Sequence, residues 1–398
     1  MRICFFNLNR LDYEGGAEKY FVETAAALKR DGQDVFFVCD NYFYVRIRPK
    51  IENFIFRLIG APLHQNGITS RQLEEDLKIF DSYKMPLLFQ LPFSAARRKI
   101  KKLLAQADVI YCKNEFIDSW YLKRLIGKKG FAKVVLGLHT AIFLANAESF
   151  HSRVHNFLYF SRVYQKVLQL CGAVHVINNS YKDKLVESFK LDPGKIVFVP
   201  NGIKENDLER TTAGESDAFK ILFAGRFTEQ KGIDYLSEII DNLSKDPIFS
   251  RIEILIAGAG QRQDIVDKLI NKFSNVKYLG FVKEMSNLYR QVDICIVPSR
   301  WEMFPYNCLE PQAKSLPVVA FDIPGTKDIV VNGTTGLLTP LGEANSFSGA
   351  IKKMFDLKAN NRVEWQVMKD AAYKNVSERF TLTAVAKELE KLFEKVKK

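Results

Sequence analysis

Two glutamates, Glu302 and Glu310, stand eight positions apart in the segment Pro298-Ser-Arg-Trp-Glu-Met-Phe-Pro-Tyr-Asn-Cys-Leu-Glu310. An apolar run, Val292–Pro298, leads in, and Pro317-Val-Val-Ala-Phe321 leads out, which reads as strand, tight loop, helix, strand. Loops at the C-terminal ends of parallel strands are where open α/β sheets bind ligands. In that setting two carboxylates can accept hydrogen bonds from hydroxyl groups, and the amides between them can face an anion. Some seventy residues earlier, Ala224-Gly-Arg226-Phe-Thr-Glu-Gln-Lys231-Gly232 also follows a strand and opens a helix. Arg226 and Lys231 there are placed to hold a diphosphate against a helix N-terminus, and Gly225 and Gly232 let backbone approach closely. The Walker spacing is absent, so this is not a P-loop, and alone the segment reads more readily as a solvated turn; paired with the Glu302 loop, the binding reading is favoured.

Positioning these loops requires alternating strands and helices, and the chain supplies two such series. The first has strands at Arg2–Leu8, Asp34–Cys39, Val109–Tyr111, Lys133–Leu138, Ala173–Ile177 and Ile196–Val199, with helical periodicity over Ala17–Asp31 and Ala95–Ala107. Pro200-Asn-Gly202 ends it, and the polar stretch 203–218 has no apolar period. The second has strands at Lys220–Ala224, Ile252–Ala257, Val276–Leu279, Ile294–Val297 and Val318–Ala320. Helices fall between them at Ile233–Leu243, Asp264–Phe273, Met285–Gln291 and Leu309–Ser315, and a last helix spans Leu382–Val396. The pattern predicts two parallel, doubly wound α/β domains, with Glu310 near the start of its helix.

Composition narrows the class. The six cysteines form no CxxC pair and lie in apolar runs, as buried reduced thiols do. The N-terminal apolar run is too short for a signal peptide, and no apolar stretch reaches the ~20 residues of a membrane span, so a cytoplasmic or peripheral chain is expected. Of the net charge of +12, residues 1–199 carry +11 (30 Lys and Arg against 19 Asp and Glu) and residues 200–398 only +1. The basic half carries Tyr42-Phe-Tyr-Val-Arg-Ile-Arg-Pro-Lys50, Phe54–Ile59 and Arg97-Arg-Lys-Ile-Lys-Lys102, which read equally as a solvated helix face with core aromatics or as a surface for anionic lipid or an acidic glycan. No nucleic-acid motif accompanies the charge.

The Glu302–Glu310 spacing resembles the E-x7-E motif of retaining, nucleotide-sugar-dependent glycosyltransferases of family 4, which have the GT-B architecture. Arg226 and Lys231 match the family's G-R-x4-K-G element, and Gly15-Gly16-Ala-Glu18 its Gly-Gly-x-Glu element. His139, at the end of Val-Val-Leu-Gly-Leu138, stands where the family has a histidine that touches the donor sugar. Gly258-Ala-Gly260 lacks the third glycine of a dinucleotide fingerprint and matches the family's strand-end Gly-x-Gly instead. The resemblance covers almost the whole chain, most strongly Ala173–Leu338 and least Tyr42–Phe93.

The resemblance implies a GT-B fold: two Rossmann-like, doubly wound domains facing across a cleft. An N-terminal acceptor domain would span 1–200, a linker 201–219, a nucleotide-sugar domain 220–380, and a C-terminal helix over 381–398 would cross back to the first domain. It implies a retaining transferase that takes sugar from a UDP- or GDP-linked donor to a saccharide or lipid-linked acceptor in polysaccharide synthesis. His139, Arg226, Lys231 and Glu302 are implied to be catalytic. Gly15, Gly16, Gly225, Val282, Phe304, Tyr306, Asn307 and Glu310 are implied to bind nucleotide or sugar. No Asp-x-Asp pair occurs, so metal-independent transfer without cofactor is expected. Where the family has Glu-Gly-Phe-Gly, this chain has Met303 and Pro305 for the glycines, and Pro305 offers no N–H. A catalytically silent GT-B subunit that binds a glycan or a partner transferase, or an epimerase or phosphorylase on the same fold, stays open.

Overall fold

The computed structural model describes residues 1–7, 16–40, 81–85, 95–113, 116–139, 156–211 and 218–397. Gly15, Tyr42–Lys50 and Phe54–Ile59 lie outside the described residues. The chain divides into two compact units, Met1–Pro200 with Val385–Lys398, and Asn201–Ala384.

Unit 1 contains β1 (Arg2–Asn7), α1 (Gly16–Arg30), β2 (Asp34–Asp40), β3 (Asp81–Met85), α2 (Ala95–Gln106), β4 (Val109–Lys113), α3 (Phe116–Phe131), β5 (Val134–Leu138), α4 (Arg162–Leu170), β6 (Ala173–Val176), α5 (Tyr181–Phe189) and β7 (Ile196–Phe198). The seven strands run β3-β2-β1-β4-β5-β6-β7, and every pairing is parallel. β4, β5 and β6 are buried throughout, which is why they read as unbroken apolar runs rather than alternating ones. On α1 the buried residues Tyr20, Phe21, Thr24, Ala25 and Leu28 recur at helical spacing and cover one face of the sheet.

Unit 2 contains β8 (Phe219–Ala224), α6 (Ile233–Leu243), β9 (Ile252–Ala257), α7 (Gln263–Lys272), β10 (Val276–Gly280), α8 (Met285–Tyr289), β11 (Ile294–Val297), α9 (Tyr306–Ala313), β12 (Val318–Phe321), β13 (Gly336–Thr339), α10 (Ala344–Asn360) and α11 (Arg362–Arg379). Its six strands run β10-β9-β8-β11-β12-β13, again all parallel. Ile221, Phe223, Ile254, Ile256 and Ile296 of the sheet pack with Leu236, Ile240, Phe347 and Ile351 of α6 and α10 in one apolar core. A last helix, α12 (Leu382–Lys397), begins in unit 2 and packs from Val385 onward in unit 1. There Phe393 meets Tyr111 at 5.5 Å, and Lys395 donates to the Gly194 carbonyl at 2.8 Å.

Three differences from the sequence reading have physical causes. α9 starts at Tyr306, three residues before the expected Leu309, because Pro305 stands at the N-cap, where its fixed φ suits a helix entry. Glu310 is therefore inside the helix rather than at its start, and the leading amides belong to Tyr306 and Asn307. Second, α3 was not expected, and a break at Gly127 (φ +72°) interrupts its periodicity. Third, β3 and β13 are short edge strands with little apolar content or length to mark them.

Candidate functional site

In both sheets the first strand of the unit lies beside the fourth. The chain moves one way from it, through β2–β3 or β9–β10, and then returns to the other side. The crevice at that switch point is where ligands reach an open α/β sheet. In unit 2 it lies between β8 and β11, and the two segments singled out by sequence are the loops that leave those strands.

Backbone contacts hold the β8 loop in shape. After Ala224 the chain passes Gly225 and Arg226, buries Phe227, and makes a 3-10 turn over Glu229–Lys231. Gly232 then takes the left-handed conformation (φ +67°), and a Cβ on it would lie 1.8 Å from the Pro298 carbonyl oxygen. The Arg300 amide donates to the Gln230 carbonyl at 2.9 Å, which ties the β8 loop to the β11 loop. From the other side, a Cβ on Gly258 (φ +133°) would meet the Gly225 carbonyl oxygen at 1.9 Å. The Gly258-Ala-Gly260 element is thus explained by chain packing against the β8 loop.

This packing brings Lys231 and Glu302 together. Their Nζ and Oε1 atoms are 2.6 Å apart, with 17% and 7% of the side chains exposed. A nearly buried ion pair has strong partner preference, because removing one member strands the other charge. Glu310, one turn and more into α9, accepts a hydrogen bond from the Tyr289 hydroxyl at 3.1 Å. Burial first, then the Glu310 charge, push the Tyr289 phenol well above its ordinary pKa, so it stays a donor and orients that carboxylate. Asn307 Nδ2 donates to the Ala224 carbonyl at 3.4 Å, while its Oδ1 has no hydrogen-bond partner among the described residues. The same holds for Thr228 Oγ1 and Ser299 Oγ, on the two loops themselves.

The other predicted residues of unit 2 divide. The Phe304 ring is buried, edge-on to Phe380 at 5.4 Å, and its carbonyl accepts from Asn201 Nδ2 at 2.7 Å. That ring is a core anchor for the loop. Val282 follows β10 and is half-buried. Sequence reasoning missed the clamp around Arg300. Its guanidinium pairs with both carboxylate oxygens of Asp234, one at 2.6 Å, donates to the Glu229 carbonyl at 2.9 Å and lies over the Tyr235 ring at 4.1 Å. It also missed Gly325 (φ +95°), where a Cβ would fall 2.8–2.9 Å from the carbonyl oxygens of Met303 and Glu302. The only sequence signals were an Arg beside the loop and a Pro-Gly pair after a strand.

In unit 1 the switch point lies between β1 and β4. Gly16 opens α1 there; Gly15 is outside the described residues. Glu18, in the first turn of α1, is ion-paired with Lys113 at the end of β4, whose side chain is 4% exposed. His139 follows β5 and is buried. Its Nε2 is 2.8 Å from the Tyr111 hydroxyl, which is 2.7 Å from His175 Nδ1. Tyr20 packs on the His139 ring at 4.6 Å. Burial, then His175 and Lys113, hold the His139 pKa well below its ordinary value, so the ring is neutral.

On the basic helix α2, Ile100 and Leu104 face inward and Arg98, Lys99, Lys101 and Lys102 are exposed. Among the described residues no helix is long and apolar enough to cross a membrane, and no group of three His, Cys, Asp or Glu side chains is placed to hold a metal ion.

Two parallel, Rossmann-like sheets in one chain, each with its own switch point, define a protein of the GT-B class. Residues 14–207 match the family described as Glycosyltransferase Family 4, and residues 218–356 match that described as Glycosyl transferases group 1. The chain belongs to glycosyltransferase family 4. Among similar solved structures, HepE of Anabaena in complex with UDP superposes with a TM-score of 0.71 at 18% identity, over 98% of this chain and 99% of that one. An uncharacterized 41.2 kDa protein in the cps region of Klebsiella pneumoniae is 26% identical over 288 residues, 69% of this chain and 75% of that protein. The UDP-Gal:alpha-D-GlcNAc-diphosphoundecaprenol alpha-1,3-galactosyltransferase of Escherichia coli is 28% identical over 204 residues, 46% of this chain and 51% of that enzyme, so the likeness spans about half its length.

Proposed function

We propose that the chain is a retaining, metal-independent hexosyltransferase. It moves a sugar from a UDP- or GDP-linked donor to a saccharide or lipid-linked acceptor in the synthesis of a cell-surface polysaccharide. The observation that carries this reading is the Lys231–Glu302 pair at the β8/β11 switch point: a cation and a hydroxyl acceptor in mutual contact, nearly buried, on two loops fixed by backbone packing. Lys231 and Arg226 neutralise the diphosphate as its bond to the sugar breaks, because preset charge in a dry site stabilises charge that develops there. The amides that lead α9, from Tyr306 and Asn307, add to that field. Glu310, oriented by Tyr289, accepts from the ribose hydroxyls. Glu302 and His139 orient sugar hydroxyls, Gly15, Gly16 and Gly225 allow close approach, and Val282 lines the base. No protein nucleophile is required: the departing phosphate takes the proton of the incoming hydroxyl on the same face of the sugar.

Acceptor recognition is assigned to unit 1, whose positive charge suits a lipid-linked or acidic acceptor and docking on an anionic membrane. The name of one relative, an alpha-D-GlcNAc-diphosphoundecaprenol alpha-1,3-galactosyltransferase, supports a lipid-linked acceptor.

The test is incubation of the purified protein with UDP- and GDP-hexoses in the presence of a chelator. The readouts are nucleoside diphosphate release and the anomeric configuration of the product. Release with retained configuration is the expected result. Nucleotide binding without turnover would identify a silent GT-B subunit, and inversion or a chelator-sensitive reaction would overturn the mechanism.

A further inference from the structure

The three polar rings beneath the end of β5 form a chain with one defined direction. It starts at the Val199 carbonyl oxygen, which can only accept, 2.8 Å from His175 Nε2. His175 Nε2 therefore carries the proton. Burial depresses its pKa to about 4, partly offset by this hydrogen bond, so the ring is neutral and its Nδ1 is a bare acceptor. The Tyr111 hydroxyl, 2.7 Å away, must donate to it. The Tyr111 oxygen then accepts from His139 Nε2 at 2.8 Å. In a neutral imidazole this leaves His139 Nδ1 without a proton. That atom is buried and has no hydrogen-bond partner among the described residues.

We propose that Tyr111 and His175 are positioning residues that lock His139 in one neutral tautomer, so that its Nδ1 accepts a hydrogen bond from a ligand hydroxyl or N–H and cannot give one. The inference rests on the reading above only in taking that ligand to be a sugar.

Gly137 supports the chain independently. It sits inside β5, opposite His175 in the strand register, where a glycine ordinarily weakens a strand. A Cβ there would lie 2.5 Å from the Tyr111 hydroxyl and 2.8 Å from His139 Nε2, in the space the hydrogen bond occupies. The missing side chain is the opening through which Tyr111 reaches His139. Lys113, the nearest cation, is held by Glu18, and Tyr20 closes the face of the His139 ring, so no described acid faces the cluster to draw a second proton onto it. A site that only accepts takes a sugar bearing a hydroxyl and rejects one with hydrogen or a carboxylate at that position.

The chain has five histidines, which makes selective ring-15N labelling practicable. The experiment records histidine tautomers in the ligand-free protein, with His139 assigned from the His139→Gln variant. A single Nε2–H tautomer for both His139 and His175 between pH 5 and 8 is expected. Tyr111→Phe should give a mixture at His139 and lower kcat/KM about ten-fold, the scale of one lost hydrogen bond. Gly137→Ala should alter His139 in the same way if it folds; the other two samples decide the matter without it. An Nδ1–H tautomer at His139 in the wild type, or no change on Tyr111→Phe, overturns the lock. UDP-glucose, added at a concentration that saturates a thermal shift, should move the His139 Nδ1 resonance. A saturating sugar that leaves it unmoved overturns the acceptor role, whereas failure of every nucleotide sugar to bind would overturn the transferase reading and leave the tautomer result standing.

Discussion

The two units have the same strand order about their switch points and use them in opposite ways. Each carries a Lys–Glu pair there, with the positions exchanged. In unit 1 the lysine, Lys113, ends the fourth strand and the glutamate, Glu18, opens the helix after the first. In unit 2 the lysine, Lys231, lies in the loop after the first strand and the glutamate, Glu302, in the loop after the fourth. What surrounds each pair differs more. Unit 2 adds the cations Arg226 and the clamped Arg300, and the leading amides of α9. Unit 1 adds the neutral rings of Tyr20, Tyr111, His139 and His175, which pack on one another at 4.6–6.3 Å and carry no charge. One scaffold thus places charged groups around the switch point of one unit and neutral rings around that of the other.

The comparison breaks first at Lys231. Lys231→Ala should lower turnover by ~10²–10³-fold, the scale of losing a preset electrostatic contact in a transition state. Steady-state kinetics on the variant would show it, and a wild-type rate would remove unit 2 from the chemistry.

Unit 1 should instead reveal itself in acid. His175 titrates near 6.5 in an unfolded chain and at about 4 in the fold. Its folded pKa is depressed, so the neutral form is favoured by folding. That contribution is complete above pH ~6.5 and is lost as pH falls toward 4, by about 3 kcal/mol at most. His139, whose pKa is also depressed, acts in the same direction, and Lys113 is the nearby cation. Urea unfolding of the wild type and His175→Gln from pH 7 to pH 4 should show a steeper loss in the wild type. Parallel curves would contradict the buried neutral relay.

A smaller effect separates the two members of the unit 2 pair. Glu302→Gln releases Lys231 from its partner, so nucleoside diphosphate should bind as well as before or better, while turnover falls about ten-fold for want of a charged hydroxyl acceptor. Calorimetry together with kinetics would show that split, and equal losses in both would mean that the pair serves structure alone. The smallest effect concerns the basic face of α2. Lys102→Gln should weaken binding to anionic vesicles by about five-fold, near 1 kcal/mol per basic residue, and leave neutral vesicles unaffected. Equal binding to both vesicle types would remove membrane docking.

How much of this was legible in the sequence follows from the range of the interactions. All strands but the edge strands β3 and β13, the β8 and β11 loops and the types of Arg226, Lys231, Glu302 and Glu310 could be read because each is written in a few adjacent residues. The relay could not, because Tyr111 is 28 residues from His139 and 64 from His175, and only strand register brings them together. The Glu18–Lys113 pair spans 95 residues for the same reason. Gly137 was the one local trace of that arrangement, a glycine in the middle of an apolar strand. Lys113, a lysine at the end of another, was the trace of the ion pair.

The most direct measurement is a calorimetric titration, without added metal, of UDP, GDP and ADP into the wild type and Lys231→Ala. One diphosphate should bind the wild type and lose most of its affinity in the variant. No binding to well-folded wild type, or equal binding to both proteins, would contradict the placement of the diphosphate at the β8/β11 switch point.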